Sequence, residues 1–101
     1  MRQFDICALR PRGKAQVWVV ILQHDEMADW QTRIVAPLVE PGVIREVTRV
    51  HVRVVFDSRE WLLALDRLAT VNRSELGSPG GSIERQRDQI IAGIDLLFTG
   101  Y

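Results

Sequence analysis

A chain of 101 residues, 47% hydrophobic and 26% charged, is long enough for one domain with a modest core and too short for two. Thirteen basic and thirteen acidic side chains cancel, which excludes the global field expected of a protein that wraps nucleic acid or binds an anionic membrane. One cysteine, Cys7, excludes an internal disulfide framework or a multi-thiolate zinc site, and no apolar run reaches the roughly 20 residues of a membrane span. With no signal-type apolar segment at the start, the expected compartment is the cytoplasm. Twelve of the thirteen cations are Arg, a bias that suits bidentate contacts and that base composition also produces.

Residues 4–9 read as a first strand, and the stretch 10–16 (RPRGKAQ) as a turn containing Pro11 and Gly13. Residues 17–22 (VWVVIL) form a continuous β-branched run, expected of a strand covered on both faces. The polar stretch 24–31 is expected to be a loop that carries two large apolar residues, Met27 and Trp30. Residues 33–39 make a further short strand, which Pro37 restricts to an edge or bulge position. Val50, Val52, Val54 and Phe56 alternate with His51, Arg53 and Val55, a period-two strand pattern. A turn is expected at 57–60, and the run 61–65 (WLLAL) fits strand or helix. The stretch 77–81 (GSPGG) reads as a loop.

The clearest element spans 82–101. Ile83, Ile90, Ile91, Ile94, Leu97, Phe98 and Tyr101 fall on one helical stripe roughly 120° wide, with Ser82 at the N-cap and Glu84 in the first turn. Leu96 projects from the opposite face, with Asp88, Ala92, Asp95 and Thr99. The second apolar surface marks the helix as a docking element. The whole is a small, mostly antiparallel barrel-like sheet capped by one helix, a single domain over 1–101.

No catalytic constellation stands out. His24, Asp25, Glu26 and Asp29 lie close enough in sequence to consider a metal, but loops are commonly this polar. Arg49, His51 and Arg53, with Arg45 nearby, make a basic stripe able to hold RNA phosphates, with His51 as general acid or base. A solvated strand face accounts for the same pattern more simply. Cys7 lies in an apolar strand and reads as a small core residue.

These residues resemble the CcdB family, the toxins of plasmid-addiction modules that poison DNA gyrase. The resemblance runs over almost the whole chain. It is carried by Phe4, the strand at 17–22, Ile34-Val35-Ala36-Pro37-Leu38, Trp61, Asp66 and the segment Leu68-Ala69-Thr70-Val71. The closing helix adds Arg85, Asp88, Ile90, Ala92, Ile94, Leu96, Phe98 and Gly100 in step with the family's ending. It implies an SH3-like antiparallel barrel with one C-terminal α-helix, of the CcdB/Kid/MazF kind, and makes 61–65 a strand. It also implies a homodimer, with Ile91, Ile94, Leu97 and Phe98 at the interface.

In that family the helix tip inserts between the dimerised gyrase A subunits and traps the cleavage complex. The toxin performs no chemistry, so no catalytic residue, metal or cofactor is expected, nor any direct nucleic-acid or membrane contact. The corresponding gyrase-binding residues here are Thr99, Gly100 and Tyr101, with Asp95 and Leu96 beside them. The family's tip is Trp-Gly-Ile, so Thr replaces the Trp. A desolvated Trp supplies roughly 1–2 kcal/mol by stacking and cation–π contact, which a threonine hydroxyl does not provide. The second implied partner is a cognate, CcdA-like antitoxin, whose disordered tail would meet Arg10, Arg12, Met27, Trp30 and Asp95. Two alternatives stand beside the gyrase poison. One is an endoribonuclease toxin of the Kid/MazF type using Arg49, His51 and Arg53. The other is a relative that keeps the fold but has lost gyrase binding.

Overall fold

The computed structural model describes residues 1–10 and 13–100. It is a mostly β protein: a curled antiparallel half-barrel with one C-terminal helix. The strands are β1 (Asp5–Leu9), β2 (Val17–Ile21), β3 (Thr32–Val39), β4 (His51–Phe56), β5 (Arg59–Ala64), β6 (Ala69–Asn72) and β7 (Leu76–Ser82), followed by α1 (Arg87–Thr99). The order across the sheet is β4-β5-β3-β2-β1-β7, with β6 also paired to β3.

The apolar run at β2 is covered on both faces, as its composition demands. Val20 joins Phe4, Ile6, Leu38, Val54, Leu63, Leu65 and Ile90 in the larger core cluster. Val19 and Ile21 join Cys7, Leu9 and Val35 in a second cluster on the other face. Cys7 is fully buried there, and that burial pushes its thiol up, with the Asp5 charge adding to the rise. The run at 61–65 is strand through Ala64, as the family resemblance implied. Asp57 and Ser58, at φ 55 and 58, make the two-residue hairpin between β4 and β5, since consecutive left-handed residues match the twist of the strands they join.

Three expectations are corrected. β3 is internal, paired to β2, β5 and β6, in spite of Pro37. Pairing with β6 ends at Val35 and pairing with β5 begins at Leu38, so the proline falls in the gap between those ladders and breaks neither. The stretch 77–81 is a strand, not a loop. It lies at the sheet edge with Pro79 at a register irregularity against β1, and a Cβ at Gly81 would stand 3.3 Å from the Phe56 ring. The missing side chains let Phe56 of β4 close over this edge, where it also meets Trp18 edge-on at 4.9 Å between ring centroids. The final helix is shorter than 82–101. A 3-10 turn (Glu84–Gln86) precedes it, Ser82 Oγ accepts from Glu84 N–H at 3.2 Å, and Gly100 ends it at φ 80.

At Gly93 the helix is set against the turn that leads into β4 and the 3-10 turn (Leu65–Arg67) that follows β5. A Cβ there would lie 2.5 Å from both the Arg49 carbonyl oxygen and Leu65 Cδ1. Alanine would gain about 1 kcal/mol of helix propensity, but against backbone the clash is not relieved by a rotamer change, and overpacking costs roughly 1–3 kcal/mol. Gly93→Ala is therefore expected to lower the thermal midpoint; a midpoint equal to or above that of the parent would contradict the close approach.

Candidate functional site

The residues singled out by sequence occupy separate surfaces. On α1, Ile90 is fully buried and Ile91 and Ile94 are half-buried against the core, while Leu97 and Phe98 are 37% and 66% exposed. Phe98 thus leaves the core stripe assigned to it and stands exposed. Leu96, expected on the outer face, is half-buried, so the surplus apolar surface sits on the stripe itself. Asp95 and Thr99 are exposed, and the Thr99 hydroxyl donates back to the Asp95 carbonyl at 2.6 Å. That bond turns the threonine toward its own helix. Gly100 N–H donates to the Leu96 carbonyl at 3.0 Å, and nothing lies within 4 Å of where its Cβ would stand, so conformation alone calls for glycine. Tyr101 and Arg12 lie outside the described residues.

The loop after β2 is built by buried polar side chains that periodicity does not flag. Arg33 is 5% exposed and donates to the carbonyls of Ala28 (2.6 Å), Trp30 (2.6 Å) and Thr32 (2.9 Å). Gln23, also buried, donates to the Met27 carbonyl at 3.3 Å and accepts from Ile34 N–H at 3.1 Å. Buried donors left unpaired would each cost about 1–3 kcal/mol, so these contacts set the loop's shape. Its Met27 is half-buried and its Trp30 is 58% exposed, an indole held outward on a pinned backbone. The signal available in the sequence was an Arg at the mouth of an apolar strand. Arg10, at the end of β1, is exposed and donates to Gln16 Oε1 at 3.2 Å.

The basic stripe is a solvated face at its arginines, since Arg45, Arg49 and Arg53 are exposed, but not at His51. His51 is 5% exposed; its Nδ1 accepts from Val47 N–H at 2.8 Å, and its Nε2 lies 2.9 Å from Asp66 Oδ1. Accepting at Nδ1 puts the ring proton on Nε2, which donates it to the carboxylate, so both nitrogens are committed. Arg53 pairs with Glu46 at 2.6 and 3.1 Å and with Glu60 at 2.8 Å. Two of the three residues a ribonuclease would use here, His51 and Arg53, are therefore tied into structure, while Arg49 is exposed and outside these pairs. His24 Nδ1 accepts from Glu26 N–H at 3.0 Å, and Asp25 accepts from Gln3 N–H at 2.7 Å. Among the described residues no group of three or more His, Cys, Asp or Glu is placed to hold a metal, and no helix is long and apolar enough to cross a membrane.

The family model described as CcdB protein matches residues 3–100. A comparison with curated proteins gave no match. Among solved structures, the Mycobacterium tuberculosis toxin MazF-mt6 is similar at a TM-score of 0.78 and 18% identity, over 93% of this chain and 95% of that one. An endoribonuclease in complex with its cognate antitoxin, from a mycobacterial species, is similar at 0.77 and 13% identity, over 94% and 91% of the two chains. At such identities the likeness is one of fold.

The Arg53 hydrogen bond holds the Glu46 carboxyl below the usual carboxylate range. A depressed folded value contributes stability that is present at neutral pH and lost as pH falls through it. Thermal midpoints of the parent and of Glu46→Gln should therefore differ most near pH 7 and converge on acidification; a gap that widens at low pH would contradict the pairing.

Proposed function

The chain belongs to the CcdB family, and on that premise we propose that it is the toxin of a toxin–antitoxin module, acting by binding the DNA gyrase A subunit and trapping the cleavage complex. The observation that carries this reading is the end of α1. A helix packed at Gly93 against the Arg49 carbonyl and Leu65 projects Leu97 and Phe98 into solvent and closes on a left-handed Gly100. The gyrase-facing residues are then Asp95, Leu96, Thr99, Gly100 and Tyr101. With the Thr99 hydroxyl turned back onto the helix, the aromatic contribution at the tip falls to Tyr101. The toxin itself is not an enzyme under this reading, and it works in the cytoplasm, where gyrase is.

A CcdA-like antitoxin is the second partner, meeting Arg10, Arg12, Met27, Trp30 and Asp95. Trp30 is its anchor, because a rigid exposed indole gives large contact area at low entropic cost. The homodimer uses the outer edges of Ile91 and Ile94 together with Leu97 and Phe98.

Purified protein added to gyrase should inhibit supercoiling and accumulate cleavage complexes at micromolar concentration. Cleavage of RNA with no effect on gyrase would overturn the reading in favour of the endoribonuclease alternative, and antitoxin binding without either activity would mark a relative that has lost its target. Deleting residues 99–101 should leave the thermal midpoint and oligomeric state nearly unchanged, since a terminal half-turn contributes little to the core, while abolishing trapping. A truncated protein that still traps gyrase would remove the tip from the mechanism. Phe98→Asp, at a position already exposed in the single chain, should preserve folding and shift the dimer to monomer in sedimentation; an unchanged dimer would place the interface elsewhere.

A further inference from the structure

A groove of about 530 Å³ lies between β4, the segment 46–49 and α1, within the size range of ligand sites. It shares no residue with the helix tip, so a ligand bound there is independent of the gyrase reading. Its two arginines differ. Arg53 is saturated by Glu46 and Glu60. Arg49 has no carboxylate within ion-pair reach among the described residues. Its backbone is also strained, at φ 82, in a region that long side chains avoid. The surroundings hold it there, because its carbonyl oxygen abuts the backbone of Gly93. Glycine would take the same φ without strain, so what arginine adds at this position is its guanidinium.

The other wall supplies neutral donors. Gln86 Nε2 donates to the Arg53 carbonyl at 2.7 Å and to Gln89 Oε1 at 2.9 Å, which leaves the Gln89 amide hydrogens and the Thr48 hydroxyl to a ligand. We propose that this groove binds a short acidic peptide segment, with one carboxylate paired to the Arg49 fork and its backbone carbonyls taken by Gln89 and Thr48. A guanidinium matches a carboxylate bidentately, and amide and hydroxyl donors match a peptide backbone. RNA fits less well. A single uncommitted cation beside the Glu46 carboxylate is a poor match for successive phosphates, and the one aromatic ring among the lining residues, the His51 imidazole, is only 5% exposed and offers no stacking platform.

The test is an amide chemical-shift titration of the full chain with three probes: an end-blocked hexapeptide Gly-Glu-Glu-Ala-Glu-Gly, inorganic phosphate, and oligouridylate. The peptide is expected to give saturable shifts at Arg49, Gln89 and Gly93. Arg49→Gly is expected to weaken it about tenfold or more while the thermal midpoint holds or rises, because glycine relieves the left-handed backbone. Arg49→Gln, which keeps a side chain on the same wall, reads the charge alone and should weaken the peptide as well. Unchanged affinity in both variants, or no saturable shift with the peptide at millimolar concentration, would overturn the proposal. Phosphate or oligouridylate binding as tightly as the peptide would also overturn it, in favour of a simple anion site or an RNA surface.

Discussion

Helix α1 meets the turn before β4 through backbone as well as side chains. At Gly93 there is no room for a β-carbon between the helix and the Arg49 carbonyl, and Leu65 closes the same space from the adjoining 3-10 turn. That contact sets the height and direction of the helix. Ile90, one turn earlier, is fully buried as a consequence, and Leu97 and Phe98, one turn later, overshoot the barrel. It also holds Arg49 in its left-handed conformation and forms the floor of the groove beside β4. Helix tip, groove and strained residue are thus outcomes of one steric constraint, and a one-carbon change would disturb all three.

Around this contact, buried polar side chains shape the irregular segments. His51 ties the Val47 amide to Asp66, while Arg33 and Gln23 gather the carbonyls of the loop that carries Trp30. Each group sits where a missing partner would be costly, so it favours one loop conformation over its competitors more than it adds net stability. The Arg33 case is the sharper one. A nearly buried guanidinium satisfied by carbonyl oxygens alone has little alternative to the geometry that satisfies it, and the loop it gathers holds an exposed indole.

The barrel is common to proteins of different action. The chain belongs to the CcdB family by sequence, and its fold is shared with a structure named as an endoribonuclease. A shared barrel does not carry a shared activity; the side chains on it do. Here His51 is bound at both nitrogens and Arg53 is paired with two carboxylates, which commits two of the three residues that the ribonuclease alternative would use. The features open to a partner include the apolar end of the helix, the Trp30 loop and the groove at Arg49.

Much of the fold was legible in the sequence because most strands and the helix announce themselves by period. The apolar run at β2, the alternation of β4 from Val52 onward and the repeat of the last helix each follow from burial on one face or two. Glycine spacing pointed the other way at 77–81, where a neighbouring strand and the Phe56 ring impose an extended edge on a turn-like composition. A helix-interior glycine was the visible sign of Gly93, but only the backbone lying against it gives that sign a meaning. Residue pattern and motif order were enough for the class of fold, the existence and polarity of the terminal helix and the family. Long-range packing was needed to turn His51 inward, to gather a loop around Arg33 and to leave Phe98 standing free. Those facts depend on contacts between residues distant in the chain, and no local pattern of side chains encodes which distant group will arrive to satisfy or bury them.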